Sequence, residues 1–460
     1  EETALRTLSL ACRWRGLFGV LCLSASALYA AGGSCALRVD DVSGVTTPWP
    51  LVGGLPLPVG ALRDPAGVRI VDGQGGEVPA QVDVAATYRD GSIRWALVSL
   101  VGPVTGSYRA EYGPEVTRAV ATGIALREKG EDLSVGTGAA VYTFSRTNLL
   151  PDSGQLAGGT VLWGAGDAAA YLIDNQGRRA VCGGAAAEVQ RHVLKRGPLR
   201  CVVRTEGWYV TPQGERVARG SARLSFFAGS AMVQVSHTLI FTEDTNRLWV
   251  RDYGLEIPLR TVAPNTATFD VAKAFDSTVR SVSLRPGEAV AMLQDDYPHF
   301  LETGSHFALT RHAGGVAEEL LAGAVCGDWC DASSGQAGLT VVVRDLAEQF
   351  PKELEVSTDG VRVHLWPARC GREWDFRTPT LIREYWGQWI QKGLWSQNGR
   401  VNRVAEVAKT PSNAQGSAKT HEVWLIPHAG PLDPATAARQ AQAVCRPVLL
   451  QADRASLCAS

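Results

Sequence analysis

The sequence predicts a mostly β protein, and three observations carry that reading. Forty-nine glycines and 23 prolines are spread along 460 residues, the punctuation of many short strands joined by turns. Apolar and polar residues alternate in segments such as Ile93-Arg-Trp-Ala-Leu97 and Val233-Gln-Val-Ser-His-Thr-Leu239, the period of a half-buried strand. Long stretches of helical periodicity are scarce. A chain of this length exceeds one core, so two or three domains are expected.

Composition narrows the partners. Forty-five Lys and Arg balance 46 Asp and Glu for a net charge of −1, evenly mixed along the chain. That distribution points away from nucleic acid and from anionic membrane surfaces. A hydrophobic content of 45% is that of a soluble globular protein.

The first 36 residues read as an export signal. Arg13, Trp14 and Arg15 precede the apolar run from Leu17 to Ala30, and Ser34-Cys35-Ala36 offers a small-x-small cleavage pattern. The run is short for a membrane span. Cleavage near Ala36 and secretion are therefore expected, leaving Cys182, Cys201, Cys326, Cys330, Cys370, Cys445 and Cys458. In an oxidising compartment some of these would pair. Cys182 with Cys201, and Cys326 with Cys330 or Cys370, are the candidate pairs.

Residues 37–113 read as a small closed barrel. Val52 to Gly60 is a tight-turn segment, Val68–Gly73 and Glu77–Gln81 form a hairpin around Asp72-Gly73, and Tyr88–Ser92 is a second turn. It feeds a strand in which Ile93, Trp95 and Leu97 are expected to point inward. Residues 114–430 have longer strands, as a β-sandwich requires. Ala222–Phe227 and Met232–Phe241 form a hairpin in which His237 sits among apolar residues, the place of a satisfied core histidine. Gly338–Arg344 is another strand. Further on, Val361, Val363 and Leu365 face one way while Arg362, His364 and Trp366 face the other. Residues 431–460 read as the start of a helical domain, with Asp433 capping a helix that begins at Pro434.

Chemistry concentrates between 366 and 425. Trp366, Trp374, Trp386, Trp389, Trp395 and Trp424 are six of the 13 tryptophans, interleaved with Arg383, Tyr385, Lys419, His421 and Glu422. Flat rings stack on the apolar faces of sugars, and charged groups fix hydroxyls and uronates. The simpler alternative is a Trp-rich core under a long loop. On the first reading Trp366, Trp386, Trp389, His364, Arg362 and Glu422 bind the sugar.

Together these segments resemble the exo-rhamnogalacturonan lyase family, polysaccharide lyase family 26, also called YetA-like. Gly53-Gly-Leu-Pro-Leu-Pro58, Gln81 and Arg89-Asp-Gly-Ser-Ile-Arg-Trp95 look like its N-terminal RIFT-like barrel. Gly197-Pro-Leu-Arg200, Ser236-His-Thr238, Gly338 to Asp345, Phe350-Pro-Lys352, Leu365-Trp-Pro367 and Ala418-Lys-Thr-His421 look like its central β-sandwich. The resemblance spans nearly all of 37–450. It implies a third domain, an α/α toroid, that would begin near Pro447 and is not included in the 460 residues. It also implies β-elimination on rhamnogalacturonan or a related uronate polymer. That reaction needs a cation on the uronate carboxylate, a base for the carbon-bound proton and an acid for the leaving oxygen. Arg383 or Lys419 would hold the carboxylate, His421 or Lys419 would be the base and Tyr385 the acid, with no metal and no cofactor. The alternative is a non-catalytic carbohydrate-binding sandwich. A hydrolase reading of Glu422 lacks a second carboxylate. A metal reading of His299, His306 and His312 with Asp295 or Asp296 lacks ligand spacing.

Overall fold

The computed structural model describes residues 32–121, 123–164, 168–272, 278–298, 304–377, 380 and 412–459. Within them the chain is mostly strand, with a small barrel-like N-terminal unit and a large β-sandwich.

The N-terminal unit is built from two small sheets. One orders Glu77–Val78, Val68–Asp72, Tyr108–Tyr112, Gly33–Asp40 and Leu449–Ala452; the other sets Ile93–Gly102 between Trp49–Pro56 and Gln81–Thr87. The hairpin at Asp72 forms as its residues dictate, with Asp72 Oδ1 accepting from the backbone N–H of Gln74 and of Gly76, both at 2.9 Å. The inward alternation predicted for Ile93, Trp95 and Leu97 fails after its first member. The partner strand slips register at Val84/Ala86 and again at Ala86/Thr87, and the buried set becomes Ile93, Ala96, Val98 and Leu100 while Trp95 is 38% exposed. Bulges of this kind re-aim side chains.

Both ends of the described chain join the N-terminal unit. The helix Pro434–Cys445 starts at the Asp433 cap and packs on the N-terminal unit. Its Ala437, Ala441, Ala443 and Val444 enter the N-terminal core, and Leu449–Ala452 pairs with Gly33–Asp40. Gly53 permits this closure, because a Cβ there would lie 2.1 Å from Leu450 O. At the other end, Gly33 to Ala36 belong to the fold. They pair with Tyr112 to Arg109, and Cys35 is 2% exposed in the core, so cleavage after Ala36 would cut a strand.

The sandwich has two antiparallel sheets. The first runs Gln190–Arg196, Arg200–Val210, Arg216–Phe227, Val233–Ile240, Ala418–Ala429, Ala337–Val343, Trp329–Ser333, Thr266–Asp270, Val279–Ser283. The second runs Arg179–Val181, Ala169–Asp174, Val250–Pro258, Gly360–Trp366, Lys352–Ser357, Glu288–Gln294, Phe307–Ala313, Val316–Gly323. Their inner faces share one apolar core, from Val203, Leu224, Val235 and Val423 on one side to Leu255, Val363, Leu354 and Val290 on the other.

The outer face of the first sheet is covered. Phe227, Trp329, Val342, Trp424 and Ile426 pack into the N-terminal core. Gln81 fastens the joint, its Oε1 accepting from Leu199 N at 3.2 Å and from Arg200 N at 2.9 Å. A Cβ at Gly197 would collide with that amide at 1.9 Å. Among the described residues the outer face of the second sheet carries no such apolar cover, and alternate positions such as Glu353, Glu355 and Arg362 are charged.

Candidate functional site

Strand alternation builds this charged face. In Lys352–Ser357, Leu354 and Val356 enter the core, which turns Glu353 and Glu355 outward. Register places Glu353 opposite His364 and Glu355 opposite Arg362, and Arg362 opposite Glu256 on the other side. Gly254 allows the close approach at the bulge, since a Cβ there would meet Val363 O at 2.1 Å.

The result is a ladder of alternating charge. Arg179 reaches Glu256 at 2.6 Å and lies 4.8 Å over the Tyr171 ring. Arg362 bridges Glu256 at 3.0 Å and Glu355 at 3.1 Å. Arg369 contacts Glu353 and Glu355 together. His364 Nδ1 lies 3.0 Å from Asp252 Oδ1, and Tyr171 Oη is 2.8 Å from each, donating to the carboxylate. The Ala368 N–H donates to Asp252 Oδ2 at 3.2 Å.

Burial would lower the pKa of His364, but the hydrogen bond to Asp252 and the charges of Glu353, Asp252 and Glu355 outweigh it and hold the pKa above the ordinary value. Burial raises Glu353 above the usual carboxylate range despite His364 and Arg369. At Glu355 burial acts in the same direction, but Arg369 and His364 prevail and the pKa falls. Tyr171 is pushed well above its ordinary value by burial and by Asp252. Above this floor lies an open cleft of about 420 Å³, lined among others by Glu256, Glu355, Arg362, Arg369 and His312.

The structure divides the predicted site residues among three surroundings. Arg362 and His364 meet on this outer face, although His364 is buried in it. Lys419 and His421 share the inner face of Ala418–Ala429, at the end of the sandwich. There Lys419 is exposed, while His421 is buried with neither ring nitrogen hydrogen-bonded among the described residues. Burial, then Lys352, Lys419 and His237, push the His421 pKa far below its ordinary value. Buried beside them, Lys352 donates to Gln349 O at 2.5 Å and Pro351 O at 3.1 Å. Burial and Lys419 lower its pKa to about 7.

Glu422 points to the opposite side of its strand. It pairs with Arg344 at 3.5 Å and accepts from Trp424 Nε1 at 2.7 Å. Arg383, Tyr385, Trp386, Trp389 and Trp395 lie outside the described residues. Three of the six tryptophans, Trp366, Trp374 and Trp424, lie in the described residues, and all pack against other rings. Trp366 is buried, stacked on Trp374 at 5.3 Å with its Nε1 donating to Arg372 O. Trp424 is buried between Trp49 and Phe227. Trp366 therefore presents no free face to a sugar.

The expected disulfides are not formed: Cys182, Cys201, Cys330 and Cys370 carry free thiols. His237 is the satisfied core histidine expected, hydrogen-bonded to Tyr209 at 3.0 Å and to Tyr253. Sequence reasoning missed Glu353, Glu355, Asp252, Tyr171, Glu256 and Arg369. The alternation Glu353-Leu-Glu355-Val was legible, but it resembles any polar outer face until its partners across the sheet are known.

Comparison with known proteins places this architecture. Residues 44–112 match the PcRGLX-like N-terminal RIFT barrel domain, and residues 126–266 match the PcRGLX-like central beta sandwich domain. The chain carries two PcRGLX-like domains. This agrees with the resemblance read from its motifs, and relates the chain to polysaccharide-active or polysaccharide-binding proteins of the rhamnogalacturonan lyase type. A search of curated proteins finds no match. Among solved structures, a glycosyl hydrolase family 38 protein from Enterococcus faecalis shares the fold, with a TM-score of 0.50 and 10% identity over 91% of this chain and 47% of that one. The chain thus spans about half the length of that relative. An alpha-mannosidase from Enterococcus faecalis V583 aligns with a TM-score of 0.47 and 10% identity over 91% and 46% of the two chains. Galactose 1-epimerase from Lactobacillus acidophilus NCFM aligns at 0.32, with 8% identity over 68% and 100%.

Proposed function

We propose that this chain belongs to a polysaccharide lyase-like protein that holds rhamnogalacturonan, or a related uronate-containing polymer, in the cleft over the second sheet. The observation that carries this reading is the placement of Arg362 and Arg369. Both guanidinium groups line an open cleft, each held in place by its ion pairs with the carboxylates beneath. Planar guanidinium groups match carboxylate geometry and stay charged. A uronate captured there is bound through the group whose neutralisation makes its adjacent carbon-bound proton acidic, the first requirement of β-elimination. Of the base candidates named from sequence, Lys419 is exposed and His421 is buried; Arg383 and Tyr385 lie outside the described residues.

A second reading, glycan binding without cleavage, is favoured by the buried state of His421. One experiment separates the two. The chain is incubated with rhamnogalacturonan and, separately, with polygalacturonate, while the ultraviolet absorbance of unsaturated uronate is followed and binding is measured in parallel. Absorbance rising with rhamnogalacturonan supports the lyase reading. Binding without absorbance supports the second, and neither signal overturns both. We also read residues 1–32 as an export signal cleaved upstream of Gly33, with Ala30-Ala31-Gly32 as the small-residue site. N-terminal sequencing of secreted protein that returned Leu37 would overturn this.

A further inference from the structure

We propose that Glu353, Glu355 and His364 form a site for one divalent transition-metal ion, zinc or manganese, at the floor of the cleft, and that Arg369 occupies its place when no ion is bound. The ligand atoms of these residues, one from each, lie within 4.8 Å of one another, the one such group among the described residues. A second observation points to the same spot. Glu353 is 1% exposed and His364 8%, yet Glu353 Oε2 and His364 Nε2 have no hydrogen-bond partner among the described residues. Buried polar atoms are almost always satisfied, and exceptions call for a bound water, ion or ligand. His364 Nε2 is 3.5 Å from Glu353 Oε1, an ion-pair separation. Glu355 Oε2 meets the Arg369 guanidinium at 2.6 Å, outside hydrogen-bond geometry.

The donor set decides the class of ion. Two carboxylates and an imidazole match a divalent charge; the imidazole favours zinc over magnesium or calcium, and the two carboxylates also suit manganese. His364 Nδ1 is already engaged by Asp252 and Tyr171, the outer support that leaves Nε2 as the ligand. Three protein ligands leave coordination positions open for water or a sugar oxygen, and Glu355 and Arg369 open directly onto the cleft. Arg369 now supplies the positive charge. Its side chain is 41% exposed and lies on the short turn Ala368–Cys370, so it has room to withdraw toward solvent.

The ion site shares residues with the proposed glycan cleft, but its test needs no glycan. Failure of one therefore leaves the other standing, since polymer binding is read in chelator. The chelator-treated chain is titrated with zinc chloride and with manganese chloride by calorimetry, and retained metal is counted after gel filtration. The expected result is one ion per chain, with affinity at least tenfold lower in both H364N and E353Q. R369M is expected to bind at least tenfold tighter because the competing cation is gone. Near-ultraviolet dichroism identical to the wild type establishes that the near-isosteric variants are folded. Substoichiometric metal, or an ion retained with unchanged affinity in folded H364N and E353Q, overturns the site. R369M affinity no higher than wild type overturns the exchange.

Discussion

Glu353 and His364 stand opposite one another on adjacent antiparallel strands, and the atoms they turn together, Oε1 and Nε2, are 3.5 Å apart. Neither residue is exposed, so the pair fixes the electrostatics of the floor on which Arg369 and Arg362 rest.

The two arginines are expected to carry recognition of an acidic glycan. Charge-assisted hydrogen bonds contribute about 1.5–3 kcal/mol each, so R362A or R369A should weaken uronate-polymer binding by about tenfold or more. The loss should shrink as salt rises. Affinity electrophoresis with polygalacturonate checks this. Unchanged mobility in both variants would place the glycan elsewhere.

His421 separates the catalytic from the packed role by a simple substitution. A buried polar group without a partner costs about 1–3 kcal/mol, so H421L should be neutral to stabilising in urea unfolding. If His421 is the base, the same variant abolishes any unsaturated-uronate signal. A variant that is both stable and fully active would remove His421 from the mechanism.

Two buried cations-in-waiting make stability rise with pH. His237 has its pKa lowered from 6.5 to about 3 by burial. The folded state therefore binds fewer protons than the unfolded state in that interval, and stability is complete above about pH 6.5 and declines as pH falls toward 3. Lys352, lowered from 10.5 to about 7, acts in the same direction at higher pH. Its contribution is lost as pH falls from about 10.5 to 7, on the order of a few kcal/mol at one pKa unit per 1.36 kcal/mol. K352M should flatten the urea midpoint between about pH 7 and 9.5 relative to wild type. Parallel curves for the two proteins would contradict the buried state of Lys352.

Gly53→Ala tests the closure of the N-terminal unit. Its Cβ would sit 2.1 Å from Leu450 O, so either Trp49–Pro56 or Leu449–Ala452 must move. A cost of about 2–4 kcal/mol is expected, as for other backbone-incompatible or overpacked substitutions. Thermal unfolding reads it. Hydrogen exchange should rise first in Leu449–Ala452, and an unshifted midpoint would show that the approach is looser.

The sequence by itself determined the strands, because alternation and turn residues act over a few positions and need no knowledge of partners. The Asp72 hairpin, the Asp433 cap and the core place of His237 were all legible for that reason. So was the likeness to PcRGLX-like domains, whose motifs meet in space where Gln81 holds the backbone of Leu199 and Arg200. What only the tertiary structure decided was which residues a strand faces across the sheet. Arg362 and His364 were visible from parity, but their partners Glu256, Glu355, Glu353 and Asp252 come from strands up to 112 positions away. Trp366 and Glu422 were legible as candidate residues, but their surroundings were not. A ring stacked on Trp374 and a carboxylate held by Arg344 are fixed by neighbours that local pattern does not encode. The return of Leu449–Ala452 to Gly33–Asp40 is the same lesson at the scale of the chain. Pairing between distant segments depends on which surfaces the intervening fold brings together.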